Sequence, residues 1–279
     1  MKRSALTFLA GAMLATAGAA ESQAPATAGG WTYADLADLA LPAPVAAHVR
    51  IGRAVALDKE RAVGTPAGKT RFYVEADVIS LIRGARGVPA TVGYLVDLPN
   101  DARGRPPRLR KKDEFILLAA TVPGRPGELQ LVAPDAQLPY TPARAAQLRA
   151  LLAEAAAADA PPPITGIGRA FHVPGTLAGE SETQIFFQTA DRRPVSLSVL
   201  RRPGETPRWA VALSEIVDDA AAAPAPASLL WYRLACTLPA TLPRQSLAEA
   251  DPAHARAIQA DYRLVLDELG PCARSRMRS

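Results

Sequence analysis

Long apolar runs are missing from this 279-residue chain. The best candidate, Ala5 to Ala17, is interrupted by Thr7, Gly11 and Thr16. It falls short of the roughly 20 apolar residues that a membrane-spanning helix needs. Aromatics make up only 5% of the residues, so a core must be built from Val, Leu, Ile and Ala. The three histidines, His48, His172 and His254, stand far apart, and none forms an HxH or HxxxH pair. With only two cysteines, the Cys and His clusters of a structural zinc site are absent, and no metal or other cofactor is expected. No GxSxG or SxxK segment offers a serine nucleophile. Gly166-Ile167-Gly168 lacks the third glycine and the following helix of a phosphate loop, and reads as a bulged or closely packed strand.

What is present begins at the amino terminus. Met1-Lys2-Arg3, the short apolar run and Gly18-Ala19-Ala20 before Glu21 have the form of a secretory signal over residues 1–20, cleaved within Ala19 to Glu21. The expected location is periplasmic or secreted, with no transmembrane segment after cleavage. Residues 21–30 read as a flexible leader. The formal charge of +5 drops to +3 once Lys2 and Arg3 leave, and that excess is scattered. Together with export, it removes nucleic acid as the expected partner. In an exported chain two cysteines most simply form one disulfide, here Cys236–Cys272. A loop of that size contributes roughly 4 kcal/mol in the chain-entropy picture. The rival, a catalytic thiolate with His172 or His254, has nothing electropositive beside it except Arg233.

Thr32 and Asp35 form a capping-box pattern that opens a helix through Ala40, ended by Pro42 and Pro44. Strands follow at 45–57, 70–82, 91–96, 114–119 and 128–132. The clearest places Phe72, Val74, Ala76 and Val78 on one parity. Five short strands at such spacing point to a small closed or nearly closed barrel. Thr141 and Pro142 start a helix whose apolar stripe is Leu148, Leu151, Leu152 and Ala155. Pro161-Pro162-Pro163 is a stiff connector and marks the expected boundary between domains 31–160 and 164–272. Strands at 164–172, 182–189, 195–200 and 209–216 come next. The apolar segment 229–238 and a last helix from Pro252 follow, closed by Gly270-Pro271. Residues 273–279 are expected to be a solvated basic tail that includes Arg274, Arg276 and Arg278.

The chemistry-bearing residues are few. Arg103, Arg105, Arg108, Arg110, Lys111 and Lys112 place six cations in ten residues of a predicted loop. They fit an acidic protein, an anionic lipid head group or a polyanionic glycan. The competing reading is a solvated loop with Asp101, Asp113 and Glu114 as local partners. Arg192-Arg193 and Arg201-Arg202 form a second cluster. His172 with Glu180 or Glu182 offers a carboxylate–imidazole pair, against a strand-end histidine beside a solvated acidic turn. Trp209 at the base of the hairpin tip 201–209 is either a core anchor or part of a recognition loop.

The stretch Arg71-Phe72-Tyr73-Val74-Glu75-Ala76-Asp77-Val78 with Ile82-Arg83-Gly84, followed by Asp113-Glu114-Phe115-Ile116-Leu117-Leu118, resembles netrin-like and TIMP-like OB barrels over residues 46–155. That likeness implies an OB-like barrel. Segments 170–175, 180–186 and 230–236 are similar to uncharacterised exported bacterial proteins, a likeness that implies no activity and no catalytic residue. The expected architecture is α+β: an OB-like barrel with a C-terminal helix, then a β-sheet with two disulfide-linked helices. The expected function is a non-enzymatic exported binding or interaction protein, with Arg105, Arg108, Arg110, Lys111, Arg201 and Arg202 facing the partner. One alternative is a periplasmic hydrolase with an inter-domain site around His172, Glu180 and Glu182. The other is a structural envelope component.

Overall fold

The computed structural model describes residues 30–213 and 222–276. The expected signal segment, most of the expected leader, Arg278 and the far end of the expected strand 209–216 lie outside them. The fold is α+β. The first half runs α1 (Tyr33–Ala40), β1 (Val45–Ala56), β2 (Lys69–Arg83), β3 (Thr91–Pro99), β4 (Glu114–Val122), β5 (Arg125–Leu131), β6 (Gln137–Pro139) and α2 (Pro142–Ala156). The strands lie in the order β1-β2-β3-β5-β4, and β1 also pairs with β4, which closes a five-stranded barrel. The three-residue β6 adds to β4 through Ile116↔Leu138. It is too short for an alternation pattern to reveal.

Side-chain alternation explains the closure. Val45, Ala47, Val49 and Ile51 of β1 point inward with Phe72, Val74, Ala76, Val92, Tyr94, Leu117 and Ala119. Ala46, Ile116 and Leu118 point outward, where α1 and α2 cover them. Residues 45–49 and 116–119 are therefore buried on both faces, and read as nearly unbroken apolar runs. The capping box of α1 forms as the sequence implies: Thr32 accepts from the Asp35 amide, and Asp35 accepts from the Thr32 amide. At the other end of α1 the Arg83 guanidinium donates to the carbonyls of Ala40, Leu41 and Ala43. The first two are carbonyls at the helix end, and the third lies in the turn that follows.

The second half contains β7 (Ile164–Pro174), β8 (Ser181–Thr189), β9 (Val195–Arg201), β10 (Arg208–Ala212), α3 (Leu229–Ala235), a 3-10 turn at Arg244–Leu247 and α4 (Pro252–Leu269). The sheet is antiparallel in the order β10-β9-β8-β7. Gly166 and Gly168 lie at register shifts of β7, as the bulged-strand reading requires. A side chain at Gly166 would meet Gln188 Oε1 at 2.7 Å. One face of the sheet packs Ile185, Leu197, Val199 and Val211 against Ile258, Tyr262 and Val265 of α4. Trp209 is a core anchor: it is buried, and its indole donates to Glu268 of α4 at 2.6 Å. The Cys236–Cys272 disulfide is present and joins the ends of α3 and α4.

The triple proline separates barrel from sheet in sequence, but α3 crosses that division in space. Leu229 belongs to the core under α1 and α2, Leu234 to the core under the sheet, and Trp231 touches both. Residues 274–276 cross it too, so Arg274 and Arg276 are not the solvated cations expected of the tail. Arg274 donates to Asp38 at 2.7 Å, the Ser275 amide and hydroxyl donate to Asp35, and Arg276 donates twice to Asp135. The reason is burial: Asp35 is 0% exposed, and a buried carboxylate needs donors or a counter-charge.

Candidate functional site

Residues 100–113 join β3 to β4 at one end of the barrel. This loop is ordered by its own short polar side chains. Asp101 Oδ1 accepts the amides of Arg103 and Arg105, Asp101 Oδ2 accepts the Arg105 guanidinium at 2.8 Å, and Gly104 turns with φ 77°. Asp113 accepts the Arg110 amide at 2.8 Å. Lys112 holds a left-handed backbone, φ 77°. Its amide donates to the Ile51 carbonyl, and the Ile51 amide donates to the Asp113 carbonyl. Leu109 packs onto the barrel core. A loop anchored at both ends and in the middle presents its charges from a fixed frame.

Only one of the six cations finds a counter-ion there. Arg105 pairs with Asp101, whose acidity is strengthened by hydrogen bonds from the Arg105 backbone and side chain. Glu114 is taken from the other side: Arg50 donates to it at 3.0 and 2.8 Å, and His48 Nε2 lies 2.9 Å from it. Those bonds, from Arg50 first and His48 second, hold Glu114 below the usual carboxylate range. His48 itself is buried and stacked on Tyr140 at 3.7 Å, so this triad belongs to the barrel wall. Arg103, Arg108, Arg110, Lys111 and Lys112 are exposed and form no ion pair among the described residues. Local neutralisation is therefore confined to Asp101 with Arg105; Asp113 and Glu114 pair with none of the six cations.

Two of the four arginines of the second cluster, Arg193 and Arg201, are spent on the fold, while Arg192 is exposed. Arg193 pairs with Asp191 at 2.7 Å and also donates to the Ala160 carbonyl. Arg201 lies on the inner face of β9, on the same parity as Val195, Leu197 and Val199, and its guanidinium reaches Asp261 of α4 at 2.6 Å. Arg201 is thus held by Asp261, with its side chain 36% exposed. Arg202 remains exposed.

His172 is linked to a carboxylate through the Thr183 hydroxyl, and to neither of the two expected. Register pairs His172 with Thr183 and Val173 with Glu182, so Glu182 projects from the opposite face of the sheet. Glu182 accepts from Gln184 at 2.7 Å, and Glu180 accepts the Leu177 amide within its own turn. His172 Nδ1 lies 2.9 Å from Thr183 Oγ1, and the Thr183 hydroxyl donates to Asp261. Burial, opposed by Asp261 and aided by His254, lowers the His172 pKa. Thr183 is 0% and Asp261 1% exposed, so neither can be touched by a substrate. All of these partners come from the sheet and α4, which places the network inside the second half, where it fixes the helix to the strands.

One feature of the barrel escaped sequence reasoning. A groove of about 510 Å³ follows the seam between β3 and β5, lined by Leu95, Asp97, Arg125, Glu128, Leu131 and Val132 among others. Tyr73 crosses β3 to donate to Glu128 at 3.1 Å. It can do so because residue 93 is glycine: a Cβ there would sit 2.4 Å from the Tyr73 hydroxyl. Arg71 and Asp97, cross-strand partners in the β2–β3 register, form a bidentate pair at 2.7 Å. The signal in the sequence was Gly93 inside an otherwise strong strand, which marks close approach of another group.

No group of three or more His, Cys, Asp or Glu among the described residues is placed to hold a metal ion. No helix among them is long and apolar enough to cross a membrane. No protein-family model matches the chain, and no curated protein matches it.

Proposed function

We propose that this chain is a non-enzymatic binding protein of an exported, oxidising compartment, and that loop 100–113 holds its anionic partner. The observation that carries this reading is the set of five exposed, unpaired cations on an ordered loop. Fixed charges steer an oppositely charged partner. A loop already ordered also loses little entropy on binding. The partner class is an acidic protein, an anionic lipid head group or a polyanionic glycan. The Cys236–Cys272 disulfide supports the compartment, because such bonds persist where thiols are not kept reduced. The strand order β1-β2-β3-β5-β4, closed back on β1, supports the OB-like reading of the barrel.

The test is an affinity capture of the mature protein from its own envelope extract, followed by mass spectrometry. It is run beside a variant carrying Arg108→Ala, Arg110→Ala and Lys111→Ala. Partners captured by the native chain and lost by the variant support the reading. An identical set from both proteins contradicts it.

A further inference from the structure

Strand β3 has one unpartnered edge. On one side it pairs with β2 along its whole length, from Lys69↔Pro99 to Asp77↔Thr91. On the other, its parallel pairing with β5 consists of Gly93↔Glu128 and Tyr94↔Leu129 and then stops. Strand β5 continues along β4 through Ala119↔Leu131, and the Val132 amide donates to the Leu118 carbonyl. From Leu95 to Leu98, alternate N–H and C=O groups of β3 therefore point into the seam groove, with no ladder partner among the described residues. Closed barrels leave few such edges, and an open one is a template for another strand. Beside it lies apolar surface: Leu95 is 49% exposed, and Leu131 and Val132 line the same groove. A free strand edge flanked by side-chain pockets is the geometry that binds extended peptides by strand addition. Pro99, without an N–H, ends the edge on the side of the loop.

Charge selects the occupant. The two carboxylates in the groove are already engaged, Asp97 by Arg71 and Glu128 by Tyr73. Arg125 in the groove forms no ion pair among the described residues. Loop 100–113, with its five unpaired cations, begins immediately after β3. We propose that the β3–β5 seam takes an extended acidic peptide segment of the partner, added as a strand to the free edge of β3 at residues 95–98, with its acidic flank over the loop. This rests on the anion-binding reading of the loop. Four residues of edge span roughly 13 Å, so a peptide of about eight residues covers the edge and reaches the loop.

The test uses the full mature chain and a fluorescein-labelled peptide of four Glu-Val repeats, read by anisotropy and by amide chemical shifts. Two further peptides carry N-methyl groups on alternate amides, one in each frame, and another replaces Glu by Lys. The expected result is saturable binding of the parent, shifts centred on 95–98 and 129–133, and loss of about tenfold in affinity for one N-methyl frame and for the Lys peptide. Leu95→Asp, at an exposed position, weakens binding similarly while its unfolding midpoint stays unchanged. Equal binding of both N-methylated peptides, shifts confined to 103–112, or no binding of the parent would overturn the proposal. A heparin hexasaccharide separates the two levels. If it binds the loop while the peptide does not add at β3, strand addition falls and anion binding stands. If neither binds, both fall.

Discussion

Asp38 of α1 and Arg274, just beyond the disulfide, meet at 2.7 Å although 236 positions separate them in sequence. Asp38 also accepts the Tyr232 hydroxyl at 2.7 Å, so one carboxylate draws α3 and the carboxyl-terminal segment onto α1. Arg274→Ala leaves that nearly buried carboxylate short of a charged donor. The expected loss is about 2 kcal/mol of unfolding free energy, measured by urea denaturation. A variant as stable as the parent would show that the contact contributes nothing.

Asp35 makes the same attachment pH-dependent. Burial alone would raise its pKa, but the Ser275 hydroxyl and the amides of Thr32, Ser275 and Arg276 outweigh it and hold it at about 2. A carboxyl depressed in the folded state contributes stability above its ordinary value of 3.8, and that contribution is lost as pH falls toward 2. Stability should therefore decline between those values more steeply in the parent than in Asp35→Asn. Parallel curves for the two proteins would contradict the assignment.

Asp261 is the anchor of the second half. Asp261→Ala leaves the Arg201 guanidinium unpaired and the fully buried Thr183 hydroxyl without its acceptor. It should cost about 1–3 kcal/mol, with the sheet–helix contact loosened in hydrogen exchange. His172 reports on the same network: its carbon-bound protons should titrate with a midpoint below 6.5. Because the folded state favours the neutral ring, this histidine's contribution to stability is present above 6.5 and declines as pH drops below it. A midpoint at or above 6.5 would contradict the burial assigned to it.

Reducing Cys236–Cys272 should lower the unfolding free energy by about 4 kcal/mol, read as a drop in Tm with reductant. Anion binding by loop 100–113 should survive under conditions where the reduced chain remains folded, because the loop is held by barrel residue Ile51 and by its own Asp101 and Asp113. Loss of binding on reduction without unfolding would show that the site depends on the second half.

How much of this was legible depended on the range of the interaction. Thr32 with Asp35, the alternation from Phe72 to Val78, and Pro142 after Thr141 are local, and the elements they imply form. The disulfide was legible because the chain holds only two cysteines. The six loop cations were legible as a cluster, but their lack of partners was not. It required knowing that Arg50 and His48, 64 and 66 positions away, occupy Glu114. Arg201 looked free because nothing in the sequence relates it to Asp261, 60 positions on. Glu182 looked close to His172 because both flank one turn, yet the register of a hairpin decides the face, and one residue's difference reverses it. The open edge of β3 depends on where β5 leaves it, a property of the barrel closure alone.

The central claim is tested most directly by comparing the native chain with the Arg108→Ala, Arg110→Ala, Lys111→Ala variant for binding to the acidic peptide and the heparin hexasaccharide, at low and raised salt. The account predicts that the native protein binds at least one probe, that this binding weakens with salt, and that the variant loses about tenfold in affinity at an unchanged unfolding midpoint. Equal affinity of the two proteins for the probes, or no binding of either probe by the native chain, would contradict it.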